Sequence, residues 1–224
     1  MNLDRRSDDF IATIRTRLYT AVLSDVLDDL GYRNQALPAH IRPLDESLNM
    51  AGFARTGIYR EVYRVVPDEN PYELEIALVD DLKQDDVAVF GCGGSTRIAP
   101  WGELLTTASR ARGAAGCVTD GFVRDIRQIR TLKFPVFHGG IAPLDSKGRG
   151  MVAEIDVPIR CAGVAIAPGD LIVGDADGVI VVPRAVEADA VAQAFAKVTS
   201  EDRTRDELAA GVKLADVFAK YRVL

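Results

Sequence analysis

Two short strand-like runs, the first continuously apolar, bracket a helical pattern in the middle of this chain. The first is Val87 to Gly91 (VAVFG) and the second is Gly116 to Asp120 (GCVTD). Neither alternates with polar residues, which suits strands covered on both faces. Between them Trp101, Leu104, Leu105, Ala108 and Ala111 share one face of a helix predicted from about Pro100 to Arg112, with Gly113 as its stop. A helix from Pro71 through Leu82, burying Leu74, Ala77 and Leu78, leads into the first run through an Asp85-Asp86 turn. Strand and helix in tandem predict an α/β domain whose sheet is parallel or mixed, joined by right-handed crossovers.

The flanks have other textures. Ser7 can cap a helix with Asp8 and Asp9 in its first turn, and Phe10, Ile14, Leu18, Val22, Val26 and Leu30 recur every fourth residue, widened by Leu23 and Leu27. One amphipathic helix ending at Gly31 is expected, with Asp25, Asp28 and Asp29 on its solvated face. Prolines make residues 37 to 43 extended, Met50 to Val66 is strand-like, and Phe134 to His138 is a further short strand before a turn-rich loop from Gly139 to Gly150. From Val152 to Pro183, β-branched runs separated by APGD and GDADG predict antiparallel strands, with LIVGDADGVIVV as a hairpin. Asp170, Asp175 and Asp177 have turn spacing and lack the later Glu of a calcium loop. Helices from about Ala185 to Ala210 and Leu214 to Tyr221 close a chain expected to form one domain over 1–224, with a helical extension from about 185.

Composition excludes several function classes. A formal net charge of −6 lacks the Lys/Arg surplus of a nucleic-acid groove. No run of about 18 apolar residues could span a membrane. The charged start MNLDRRSDDF is unlike a signal peptide, so a cytoplasmic protein is expected. Cys92, Cys117 and Cys161 sit far apart among apolar residues and read as buried free thiols, without zinc spacing.

The stretch from Gly91 to Asp125 carries the chemistry. A helix start leaves backbone N–H groups without intrahelical partners, so the amides of Gly102, Glu103, Leu104 and Leu105 can receive an anion such as a carboxylate; water would serve them equally. Arg124 and Asp125 follow the end of the second apolar strand, where α/β proteins place ligand contacts. Arg124 offers a fork for a carboxylate and Asp125 a hard oxygen for a cation, although an exposed ion pair is the plain alternative. One Asp suits magnesium or manganese assisted by substrate oxygens, and it is poor for zinc. Gly91 to Ser95 lacks the Gly-Lys-Ser/Thr of a phosphate loop, and His40 and His138 belong to no recognisable acid–base set.

The segment GGSTRIAPWGELLTTASRARGAAGCVTDGFVRD, with LYTAVLSDVLDDLG upstream and APGDLIVGDADGVIVVP downstream, resembles the RraA-like family. That family includes the 4-hydroxy-4-methyl-2-oxoglutarate/4-carboxy-4-hydroxy-2-oxoadipate aldolases, class II pyruvate aldolases that also decarboxylate oxaloacetate. The resemblance implies a layered, swivelling β/β/α-type fold with a mixed sheet, assembled as homotrimers or homohexamers with sites at subunit contacts. It implies substrate binding by Gly102, Glu103, Leu104 and Leu105, a pyruvyl carboxylate gripped by Arg124, a Mg²⁺ or Mn²⁺ on Asp125, and Glu103 as the acid–base group beside the metal's water. Where the aldolase pattern continues Arg-Asp-x-x-Glu/Asp, this chain has Gln128, which keeps a hydrogen bond to such a water but not the charge. Arg127 and Arg130 flank it as a solvated basic face. The family also contains members without the metal aspartate that bind and inhibit RNase E; the presence of Asp125 favours the enzyme over that protein-binding regulator.

Overall fold

The computed structural model describes residues 8–222. In chain order the elements are α1 (Asp8–Arg17), α2 (Thr20–Asp29), β1 (Arg42–Pro43), β2 (Met50–Glu61), α3 (Glu73–Asp80), β3 (Asp86–Gly91), α4 (Glu103–Ala111), β4 (Gly116–Val123), α5 (Ile126–Leu132) and β5 (Val136–Ile141). There follow β6 (Gly150–Ile155), β7 (Ile159–Cys161), β8 (Val164–Ile166), β9 (Leu171–Asp175), β10 (Gly178–Val182), α6 (Glu187–Ala209) and α7 (Leu214–Tyr221). The expected α/β class and the mixed sheet are both present. Strands run in the order β1-β5-β4-β3-β2-β9-β10, with β6 also on β2. Pairing is parallel from β2 through β5 and antiparallel elsewhere, including the predicted β9–β10 hairpin.

The sheet curls until its edges nearly meet. Leu37 N donates to Val179 O, and Arg42 on β1 donates to the carbonyls of Ala176 and Asp177 in the β9–β10 turn. Met50, Val87, Val89, Val118, Phe137 and Ile172 fill the interior. The fit across it is tight, because a Cβ on Gly174 would lie 2.5 Å from the Phe137 ring. Two further apolar layers clothe the outside. One packs α1, α2 and α6 on β2, β9 and β10; the other packs α3, α4 and α5 on β3, β4 and β5. The continuously apolar run of β3 follows from this double cover.

Four details differ from expectation. The N-terminal pattern forms two helices, because Tyr19 is extended (φ −133°, ψ 159°) and the Asp175 carboxylate accepts from the Thr20 amide (2.7 Å) and hydroxyl (2.8 Å). A remote carboxylate thus anchors a new helix start, while Ile14, Leu18, Val22 and Val26 stay buried on both sides of the break. The cap predicted at Ser7 lies outside the described residues. The strand predicted from Met50 to Val66 ends at Glu61, and Asp86 belongs to β3 rather than to the turn. Finally, α4 begins at Glu103 rather than Pro100, and Leu104 is 78% exposed. Trp101 is outside that helix, buried against Phe90 and stacked on Phe134, so the inward face is that of Leu105, Thr106 and Ser109 instead.

The three cysteines are unpaired and buried, as expected. Asp170 and Asp175 spend their carboxylates on turn and helix-start amides, also as expected of turn chemistry. No helix among the described residues is long and apolar enough to cross a membrane.

Candidate functional site

Two segments far apart in sequence are stitched together by backbone pairing. Phe122 N donates to Ile98 O and Arg124 N donates to Trp101 O, each at 3.0 Å, so the end of β4 runs beside the segment that leads into α4. Trp101 and Val123 form a parallel bridge. Gly121 permits the approach, since a Cβ there would lie 2.8 Å from Cys92 Sγ and 2.9 Å from Pro100 Cδ. The helix start and the Arg-Asp pair therefore meet because the sheet places them in register, not by surface chance.

Gly102 closes the junction. It is the residue before α4, in an extended conformation (φ −152°, ψ −170°), and a Cβ on it would lie 2.7 Å from Asp125 Oδ2. Only glycine leaves that space beside the carboxylate. Glu103 N donates to Asp125 Oδ2 at 3.1 Å, so this amide, expected to face an anionic ligand, is directed at Asp125. The amides of Leu104 and Leu105 have no acceptor within α4 by helix geometry. The Glu103 side chain is half-buried and accepts from Thr107 Oγ1 at 2.7 Å.

Asp125 stands between β4 and α5 in the left-handed region (φ 60°, ψ 36°), where a non-glycine residue is uncommon and often marks a functional constraint. Its side chain and that of Arg124 are each 40% exposed. Arg124 Nε lies 3.8 Å from Asp125 Oδ2; Nη1 lies 3.8 Å from Asp145 Oδ1 and donates to Leu144 O at 3.3 Å. Gln128 donates its amide to the Asp125 carbonyl at 3.0 Å, and its side chain is exposed. Arg130 reaches away, donating to Leu44 O, and Arg127 is exposed.

Several polar residues behind Arg124 escaped the sequence reading. Tyr72 donates its hydroxyl to Asp145 Oδ2 at 2.8 Å. Burial, then the hydrogen bond to Asp145, pushes the Tyr72 hydroxyl up to about 12. Glu75 on α3 is buried and accepts from Tyr59 Oη at 2.5 Å. Burial raises its pKa to about 7; the Tyr59 hydrogen bond opposes the shift, the Asp145 charge adds to it, and the Arg124 charge opposes it. These residue types are common and belong to no local motif, so nothing in the sequence linked them to Arg124. His40 is exposed, and His138 is buried with a lowered pKa whose first cause is burial; neither joins the site.

No group of three or more His, Cys, Asp or Glu among the described residues could hold a metal ion. Asp125 by itself fits an ion that keeps several waters and takes substrate oxygens, as magnesium and manganese do. It accepts one hydrogen bond from Glu103, which leaves most of a carboxylate's roughly four lone-pair positions for a cation. The space that a Cβ of residue 102 would occupy lies directly against Oδ2.

Comparison with known proteins places the chain in a family. The RraA-like family model, described as Aldolase/RraA, matches residues 20–181. A Halalkalibacterium halodurans protein that carries the provisional name 4-hydroxy-4-methyl-2-oxoglutarate aldolase is 38% identical over 198 residues, covering 88% of this chain and 87% of that protein. The 4-hydroxy-4-methyl-2-oxoglutarate aldolase of Thermus thermophilus is 29% identical over 157 residues, covering 70% of this chain and 90% of the relative. Among solved structures, Streptomyces coelicolor RraAS2, described as an unusual member of the RNase ES inhibitor RraA protein family, superposes with a TM-score of 0.78. It is 28% identical and covers 91% of this chain and 98% of its own.

Proposed function

Because this chain belongs to the RraA-like family, we propose that it is a divalent-cation-dependent lyase of 2-oxo acids with a second carboxylate. Its reactions would be retro-aldol cleavage of a 4-hydroxy-4-methyl-2-oxoglutarate-type substrate and decarboxylation of oxaloacetate. The observation that carries the reading is the junction itself: Gly102, without a Cβ, opens the space beside an Asp125 carboxylate that flanks the Arg124 guanidinium.

Electrostatics favours a cation requirement. Asp125 and Asp145 bring two formal negative charges against one positive charge on the Arg124 between them, a formal sum of −1. A dianionic substrate meets repulsion there unless a divalent cation offsets it. Asp125 would hold Mg²⁺ or Mn²⁺, and when bound the ion would supply a Lewis acid for charge developing on the 2-oxo oxygen. Arg124 and the amides of Leu104 and Leu105 would bind the pyruvyl carboxylate and orient it. Breaking the C3–C4 bond leaves a pyruvate enolate, and its C3 must then take a proton. Glu103, whose backbone amide donates to Asp125, is the side chain that the family resemblance assigns to taking the C4 hydroxyl proton and returning one. Assembly as a trimer or hexamer is what the family resemblance implies for this chain.

The test is turnover of oxaloacetate with Mg²⁺ or Mn²⁺, repeated with a chelator and with Asp125→Ala. The reading predicts pyruvate formation abolished by both treatments; absent or chelator-insensitive turnover overturns it. A rival reading, supported by the likeness to the Streptomyces protein, is a non-catalytic regulator that binds a ribonuclease. It gains if purified ribonuclease binds and no 2-oxo acid is cleaved.

A further inference from the structure

The side chain expected to grip the substrate carboxylate is long, 40% exposed and set between two acids. An arginine in that position would ordinarily sample many rotamers, and ordering it on ligand arrival weakens binding. Here one hydrogen bond and two charge contacts restrain it. Nε faces Asp125 Oδ2, while Nη1 donates to Leu144 O at 3.3 Å and faces Asp145 Oδ1 at 3.8 Å. Among the described residues, no acceptor bonds Nη2. The planar fork therefore keeps one edge for a ligand.

Asp145 is fixed in its turn. Its Oδ2 accepts from Tyr72 Oη at 2.8 Å, and its backbone carbonyl accepts from Arg149 Nη1 at 3.2 Å. Beneath this line the Glu75 carboxyl is buried with the Tyr59 hydroxyl, and the charges of both Asp145 and Arg124 act on it. The loop from Ala142 to Arg149 thus joins Tyr72, just before α3, to the end of β4, where Ala142 N also donates to Val123 O.

We propose that Asp145 is a positioning residue for Arg124, with Tyr72 fixing Asp145, so that the line Tyr72–Asp145–Arg124 presents the free edge of the guanidinium to the substrate carboxylate. The role rests on the reading of Arg124 as the carboxylate grip. Loss of the Asp145 charge leaves Arg124 with its bond to Leu144 O and the longer contact to Asp125. Outer partners that orient a binding group typically matter by roughly 10- to 100-fold.

Two measurements separate this role from the activity. The first needs no substrate: the ¹⁵N–¹H guanidinium signals of Arg124, assigned by their loss in Arg124→Lys, are followed in wild type, Asp145→Asn and Tyr72→Phe. The proposal expects restricted rotation in wild type and motional averaging in Asp145→Asn, with Tyr72→Phe between them; identical averaging in all three overturns it. The second is oxaloacetate kinetics. Asp145→Asn should raise KM roughly 10-fold with kcat nearly unchanged, and the double variant should be no worse than Asp145→Asn alone. A fall in kcat at constant KM, or additive losses, overturns the positioning role. If wild type cleaves no 2-oxo acid, the lyase reading falls while the guanidinium signals still decide the anchor.

Discussion

Asp120 lies within β4 and Asp125 two residues past its end, yet their surroundings assign them opposite work. Asp120 is 8% exposed, and its two oxygens accept from the amides of Cys92 and Ala162, tying the end of β3 to the β7–β8 ribbon. Asp125 is left-handed, 40% exposed, and accepts from Glu103 N. A buried carboxylate with each oxygen bonded to an amide has little left to offer a ligand. A partly satisfied one beside a missing Cβ does. The chemistry of a carboxylate is set by how many of its lone pairs the fold has already used.

Substitutions can break that contrast. Asp125→Ala is expected to lower oxaloacetate turnover by about 10³-fold, since a divalent cation supplies several kcal/mol of transition-state stabilisation, while the melting temperature stays near wild type. A thermal melt beside the kinetics checks both halves. Glu75 provides a buried acid of a third kind. Its folded pKa, about 7, lies above the ordinary 4.5, so its contribution to stability is present below pH 4.5 and lost as pH rises through 7. Glu75→Gln should therefore stabilise the protein at pH 8 relative to wild type by on the order of 3 kcal/mol, and by nothing near pH 4.5, in denaturant titrations.

Asp120→Asn turns one acceptor into a donor facing an amide, and should cost about 1–3 kcal/mol of stability with turnover per folded molecule near wild type. Equal loss of activity in Asp120→Asn and Asp125→Ala would erase the distinction between them. Gly102→Ala is the smallest change, a methyl group placed 2.7 Å from Asp125 Oδ2, and should reduce turnover about 10-fold with the fold intact. An unaffected Gly102→Ala enzyme would show that the carboxylate works from another position.

Much of this arrangement was legible from local pattern. The apolar runs at Val87 and Gly116 became β3 and β4, and the DADG turn became the β9–β10 hairpin, because burial on both faces and turn chemistry act over a few residues. Arg124 and Asp125 could be singled out because they follow an apolar strand. What stayed hidden depends on partners distant in sequence. The break at Tyr19 is anchored by an acid 155 residues away from Thr20, and Tyr72 meets Asp145 across 73 positions. Hydrophobic periodicity is identical for one long helix and for two that keep the same stripe, so it could not report the break. The start of α4 was misplaced because Pro100 resembles a first helical residue, whereas its segment is drawn into pairing with β4.

The central claim is that Asp125, and not its buried neighbour Asp120, holds a divalent cation together with the oxygens of a 2-oxo acid. Its most direct test is Mn²⁺ binding followed by electron paramagnetic resonance in the presence of oxalate, a dianion that mimics the pyruvate enolate. Wild type and Asp120→Asn should remove the free Mn²⁺ signal at equal protein concentration, and Asp125→Ala should leave it. Undiminished binding by Asp125→Ala would contradict the claim.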